Sequence, residues 1–513
     1  MQSSRLGQSF TGFAVLAFLI LCLGPALALI QDIGGVAGGN VALLTSRQLV
    51  VLANSVIYAL VSALGAITAG WFIALFIWNR PGFMAQIIKL LLIIMLPMPA
   101  FIHAAGWRAA WRFINDVTGY NFSGQGWAAA VVITIMAFLP IAVGAAWLGL
   151  QAVNKDLIGV GRICRSDLQV LSEIILPLSA PFLAAGAAII SVLSLLDYTI
   201  PSLCQVNVYA LEIFADFSAV NNPGRSFLLA LPLIIVNTVI AAGILLSLRN
   251  AGISGVKNPL NQTRFWWPFW FWVLPVLGAV TTVVQAGVPF ITLLLTALSG
   301  ETLWRQYGFA GEMAYSIAVA VGVGVIAVLL AYPIAKALNQ AAGGLGRFLW
   351  LLVLLPLLMP APVFGIGLIR LGMWIPGIYG SDLMPIMAGL ARFLPLAVLI
   401  IWAGLKRMDN SLIEAGRVLQ SKPGHSFFRV ELPLLTPVLL TSFLLLFVLA
   451  FGELGASLLV MPPGRSTLTI TIYNYLHYGA SGSVSVMCLS IALLSCLVWV
   501  GGLKSLELGR RVK

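Results

Sequence analysis

The residues that could do chemistry are few and widely spaced. The three histidines, His103, His425 and His477, lie far apart, and no HExxH-type spacing brings two onto one helix face. The five cysteines, Cys22, Cys164, Cys204, Cys488 and Cys496, form no CxxC pair and have no histidine nearby, so they read as small apolar fillers. No nucleophile elbow with a Ser/His/Asp set is present, and no GxxxxGK[ST] loop. Gly322-Val323-Gly324 and Gly365-Ile366-Gly367 are lone GxG pairs inside apolar runs, where close helix packing explains them. No catalytic residue, metal site or cofactor is expected. What remains is a handful of ionisable residues in apolar runs and two long polar loops.

Arg392 lies eight residues into an apolar run, His103 sits in another, and Asp197 and Glu453 stand at the ends of two more. Charge inside a membrane is costly, so such residues are default candidates for a transport path. On that reading the carboxylates favour a cation, and Tyr198 and Tyr473 could stack on a heterocycle. The structural alternative pairs Arg392 with a carboxylate, leaves Glu453 capped or hydrated, and puts the tyrosines in an interfacial belt.

The surrounding composition decides what kind of element must hold these residues. About 60% of the 513 residues are apolar and 9% are charged, against roughly 25% charged in a soluble globular protein. So few charges cannot coat a soluble surface, which excludes an ordinary cytosolic enzyme, a disordered chain and a disulfide scaffold. The net charge of +12 is spread singly between apolar runs rather than along one stripe, so no nucleic-acid partner is expected, and lipid is. The expected class is an all-α polytopic membrane protein.

Twelve apolar segments of about membrane length are read at 12–31, 54–78, 89–106, 127–150, 178–197, 227–248, 267–298, 314–338, 347–368, 384–405, 434–455 and 485–503. Arg5 and the run Thr11 to Ile30, with Ala26-Leu27-Ala28 near its end, resemble a signal peptide. Full membrane length and a counterpart at the start of the second half favour an uncleaved first span. With the N-terminus inside, 20 Lys/Arg fall on the cytoplasmic side and 7 outside. The positive-inside rule then puts both termini in the cytoplasm.

The chain repeats. Phe138-Leu139-Pro140 matches Phe393-Leu394-Pro395 at an offset of 255, and Leu176-Pro177 matches Leu432-Pro433 at 256. Asp197 matches Glu453 at 256, and Pro97 and Pro99 match Pro360 and Pro362 at 263. Six spans recurring in one orientation make a parallel repeat, with modules at 1–255 and 256–513 joined by the polar stretch 249–264.

The longest inward loops, 151–177 and 405–433, occupy the same place in each module. In the second, Ser411 and Glu414 form an S-x-x-E capping box, predicting a short helix from Leu412. Ala415 and Gly416 leave it a bare patch for another protein, and Lys422-Pro423-Gly424 stops it. Ser426 to Leu432 is amphipathic and leads to Pro433. In the first loop Asp156 to Arg162 precedes Ile174-Ile175-Leu176-Pro177, and Ser166 with Gln169 offers another capping box.

The second loop resembles the EAA loop of binding-protein-dependent ABC importer permeases: Glu-Ala-Ala, three residues, Gly, nine residues, an Ile-like residue, any residue, Leu-Pro. Glu414-Ala415-Gly416, Gln420, Val430 and Leu432-Pro433 stand at that spacing, departing from it at Gly416 and Gln420. In the first loop Gly159, Val160 and Gly161 take the place of the Glu-Ala-Ala, and Leu176-Pro177 is intact. Across the whole chain the arrangement looks like the fused permeases of the ferric-iron and thiamine group. The resemblance implies the type I importer fold and ATPase coupling through both loops. It implies as partners a cytoplasmic ABC ATPase, expected as a homodimer, and a periplasmic substrate-binding protein, in a bacterial inner membrane. It implies no enzyme activity in this chain. The competing expectation is a gradient-driven secondary transporter, which also uses paired six-span halves but needs ionisable groups deep within its spans.

Overall fold

The computed structural model describes residues 11–35, 45–80, 82–120, 124–250, 267–299, 308–409, 411, 414, 426–478 and 481–511, and every regular element among them is helical. In the first half these are α1 (Thr11–Gln31), α2 (Ser46–Asn79), α3 (Phe83–Met95), α4 (Ala100–Thr118), α5 (Trp127–Ala152), α6 (Lys155–Cys164), α7 (Asp167–Leu196), α8 (Thr199–Leu203), α9 (Tyr209–Val220) and α10 (Pro223–Asn250). The second half follows with α11 (Phe269–Ser299), α12 (Phe309–Gln340), α13 (Gly343–Leu358), α14 (Ala361–Met373), α15 (Leu383–Arg407), α16 (Phe427–Phe451), α17 (Ser457–Val460), α18 (Leu468–Tyr478) and α19 (Ser481–Arg511). Among the described residues, ten helices are long and apolar enough to cross a membrane unaided. The chain is an all-α polytopic membrane protein.

The third and ninth expected spans are not straight. α3 and α4 meet at 112°, and α13 and α14 at 103°. The breaks fall on Pro97/Pro99 and Pro360/Pro362. Proline lacks an N–H and pushes the residue before it out of the helical region. Met359, just before Pro360, is accordingly extended (φ −89°, ψ 136°); at the first break Pro99 itself is the extended residue that caps α4 (φ −57°, ψ 137°). The carbonyl of Leu358, at the second break, accepts from Asn237 Nδ2 of α10 at 3.1 Å.

Helix order and packing recur between the halves, α1 to α5 corresponding to α11 to α15 and α7 to α10 corresponding to α16 to α19, with α6 matching the stretch around Ser411 and Glu414. The first helix of each half packs on the bent pair of the other. α1 lies along α14, where a Cβ on Gly367 would collide with the Pro25 carbonyl, and Asp32 at its end pairs with Arg370 at 2.8 Å. α11 lies along α4, and Thr292 Oγ1 donates to the Gly106 carbonyl at 2.9 Å. The GxG glycine Gly365 packs similarly closely on α17. Small residues that let backbones approach are the usual basis of such contacts in membranes.

Candidate functional site

In the first loop, α6 starts at Asn154, whose side chain accepts from the Asp156 N–H at 3.0 Å. Its inner face is anchored by buried Ile158 and by Gly161, where a Cβ would come 2.5 Å from Ile174 Cδ1. Gly159 is exposed with open space around it. Leu157, Val160 and Ile163 lie on one side of the helix, 50%, 65% and 82% exposed. An outward apolar stripe on a short helix is a contact surface in waiting. Arg162 grips Asp167 at 2.8 Å through two nitrogens, bracing α6 against the start of α7. The expected Ser166–Gln169 capping box is present: Gln169 Oε1 accepts from the Ser166 N–H at 3.0 Å, and Ser166 Oγ accepts in return at 3.4 Å.

In the second loop Glu414 is helical and exposed, while Ala415, Gly416 and Gln420 lie outside the described residues. The cap differs from expectation. Ser411 is already helical and its N–H donates to Asp409 Oδ1 at 2.9 Å. Asp409 stands 255 residues after Asn154. Ser411 misled because S-x-x-E is a strong local signature, while the pairing of Asn154 with Asp409 is visible only when the two halves are superposed.

Both loops re-enter the membrane helices through a π-helical turn, Leu171–Ile175 in one half and Phe427–Glu431 in the other. In each, the leucine of the Leu-Pro pair donates five residues back, Leu176 to Leu171 and Leu432 to Phe427. The wide turn follows from Pro177 and Pro433, whose rings cannot sit against a normal i−4 carbonyl. Leu176 and Pro177 are exposed; Leu432 and Pro433 are half-buried.

The membrane ionisable residues assemble where the halves meet. Arg392 of α15 pairs with Glu453, whose side chain is 1% exposed. Glu453 also accepts the Ala456 and Ser457 N–H groups, each at 2.9 Å, and so caps α17. Asp197 does the same for α8, accepting from the Thr199 N–H at 3.0 Å and from its hydroxyl at 2.5 Å, and it feels the Arg392 charge. Tyr198 donates to the Gly455 carbonyl at 3.4 Å, and Ser202 bonds Tyr473 at 3.1 Å across the halves. This is the structural arrangement foreseen for Arg392 and Glu453. His103 stands apart from this group, fully buried in α4 with neither ring nitrogen hydrogen-bonded. Among the described residues no group of three His, Cys, Asp or Glu side chains could hold a metal.

A paired helical bundle of this kind, with a loop leading through a Leu-Pro turn in each half, is a repeated polytopic membrane architecture. Residues 324–508 match the family of binding-protein-dependent transport system inner membrane components. The chain is 21% identical to an Fe(3+)-transport system permease protein of Haemophilus influenzae over 88% of both chains. It is 28% identical to the molybdenum transport system permease protein of Mycobacterium tuberculosis, over 42% of this chain and 89% of that one. It is 25% identical to a putative 2-aminoethylphosphonate transport system permease protein of Salmonella typhimurium, over 43% of this chain and 89% of that one. The chain is a permease subunit of a binding-protein-dependent ABC importer, a multi-pass inner-membrane protein. It is a transport subunit and not an enzyme: a substrate-binding protein delivers the cargo, and ATP hydrolysis belongs to a separate subunit.

Proposed function

We propose that residues 1–255 and 256–513 are two permease modules, each docking one subunit of a homodimeric ATPase through its EAA loop. The carrying observation is the repeated assembly of Asn154 or Asp409 cap, short helix, π turn and Leu-Pro anchor. In the first module the outward stripe Leu157, Val160 and Ile163 is the docking face. In the second, Glu414, Ala415, Gly416 and Gln420 take that role, with Leu432-Pro433 transmitting the load. The excess of Lys and Arg on this side puts both loops and both termini in the cytoplasm.

Asp197, Arg392 and Glu453 stand beside the path between the modules. Glu453, engaged by Arg392 and two backbone amides, shapes α17; Asp197 caps α8 in the same way but is half-buried rather than buried, and is the carboxylate that meets cargo. His103 lines the packing between α4 and its neighbours.

The test is mild-detergent co-purification and uptake. The wild-type chain should bring a P-loop ATPase with it. Val160→Asp with Ile163→Asp should weaken that association, and Glu414→Ala or Ala415→Trp should impair transport-coupled ATP hydrolysis with the chain still folded. Full uptake by the Ala415→Trp variant contradicts the docking role.

A further inference from the structure

The long helices α2 and α12 are tied to the rest of the bundle alike at one end and differently at the other. Away from the EAA loops, Ser55 Oγ accepts from the Tyr209 N–H at the start of α9, and Ser316 Oγ accepts from the Leu468 N–H at the start of α18, both at 2.8 Å. Each serine also donates to its own helix four residues back, at 2.8 and 2.7 Å. The two serines stand 261 residues apart and make the same joint.

At the loop end the halves part. In the second, Glu431 closes the π turn and is buried, its side chain 9% exposed. It accepts from Lys336 Nζ at 2.7 Å and from the Tyr332 hydroxyl at 2.5 Å, and Lys336 also donates to Tyr332 at 3.0 Å. The Phe427 ring, at the other end of the same turn, lies 5.7 Å from that of Tyr332. The same offsets place Trp71, Leu75 and Ile175 at the matching positions of the first half. All three are buried in one apolar cluster.

We infer that Glu431, Lys336 and Tyr332 are positioning residues that fasten the second EAA loop to α12, making this helix the stiff member of the coupling. The inference rests on the docking reading above. Apolar side chains exchange neighbours with little directional penalty, whereas a buried carboxylate held by an ammonium and a phenol loses all its compensation when drawn away. A displacement of the loop therefore takes α12 with it. From Lys336 to Ser316 the helix spans about 30 Å, and Ser316 hands the motion to the first amide of α18. The first half, with Trp71, Leu75 and Ile175, lets its loop slide against α2. The coupling is asymmetric in the half that keeps the EAA residues.

The experiment uses the full chain with its ATPase in nanodiscs. Spin labels attached through p-acetylphenylalanine at Val220 and Asn474, both exposed at the far end, report their separation with and without ATP. Wild type should change separation on ATP binding. Glu431→Gln and Lys336→Met should each lower the ratio of shifted to unshifted molecules about fivefold or more, the scale of a typical coupling energy, with the ATPase still bound. The exchange K336E/E431K should restore the shift. A purely structural role lowers the thermal midpoint and leaves the ATP-driven shift intact, and that result overturns the inference. If the wild-type chain binds no ATPase, the docking reading falls and takes this inference with it. A bound ATPase with an unimpaired Glu431→Gln shift removes the inference alone.

Discussion

Gln285 of α11 donates through Nε2 to the carbonyl of Met136 at 2.6 Å, four residues before Pro140 of α5. That carbonyl is the one whose helical partner the proline removes. A side chain from the second half thus repairs a backbone defect in the first. The reciprocal contact is weaker and falls one residue short: Cys22 of α1 points its thiol at the Leu390 carbonyl at 3.9 Å, next to the Ala391 carbonyl that Pro395 frees. Gln285→Leu should destabilise the chain by about 1 kcal/mol, the usual worth of a polar contact between membrane helices. Cys22→Ala should cost less. Thermal midpoints of the two variants in one detergent check the order, and a larger effect for Cys22 would contradict it.

The Arg392–Glu453 pair makes a sharper prediction. Glu453 is buried, and removing its cation leaves a charge compensated by neutral donors alone, two backbone amides and Ser457. Arg392→Met should therefore cost about 3 kcal/mol or more. The double variant with Glu453→Gln should recover much of that loss, because the buried charge is gone and the single amide oxygen still accepts from one of the two N–H groups. Stability of the two variants in detergent is the measurement. A double variant no more stable than Arg392→Met shows that the pairing is not what holds α17.

How much of this could be read from residues alone depends on the range of the interaction. The apolar runs, the Leu-Pro anchors and the paired prolines were legible because hydropathy and proline geometry are local. The pairing of Arg392 with a carboxylate was legible because an intramembrane charge has few other options. The breaks at Pro97/Pro99 and Pro360/Pro362 were visible as landmarks, yet hydropathy averages across a bend and returned straight spans. The Ser411 cap failed because a competing acceptor two residues earlier, Asp409, is equally local. The Glu431–Lys336 contact joins residues 95 positions apart, and nothing in either neighbourhood announces it.

The caps of the two loops differ in one respect that pH can reveal. Asp409 is fully exposed, and its hydrogen bonds from Ser411 hold its carboxyl below the usual carboxylate range. A depressed folded pKa means the cap is present above the unfolded value of about 3.9 and is lost as pH falls through the lower folded value. Asn154, at the matching position, does not titrate. Hydrogen exchange at the Ser411 amide should quicken as the solution is acidified toward that range, relative to the intrinsic rate, while that at Asp156 tracks its intrinsic rate. Equal behaviour of the two amides would refute the assignment.

Cys164 offers a test of orientation. Of the five cysteines, three are buried, Cys496 is half-buried against the Ile94 carbonyl, and only Cys164 is exposed. A membrane-impermeant maleimide should label the wild-type chain in inside-out vesicles and leave it unlabelled in right-side-out ones. Prior binding of the ATPase should slow the labelling, since Cys164 ends the docking helix α6. Labelling from the outside would reverse the proposed topology.

The crossed placement of α1 and α11 has a consequence for how the protein is born. Chains emerge from the ribosome in order, and α1 leaves the exit tunnel more than 300 residues ahead of α14, the surface that covers it. Until then α1 has α10 of its own half beside it but not α14, with Asp32 awaiting Arg370 and Pro25 awaiting Gly367. α11 meets a finished α4 as soon as it inserts. The two halves, alike in their final packing, are thus completed by different routes. The first half closes when its borrowed helix arrives, and the second closes around a helix that has been waiting for it.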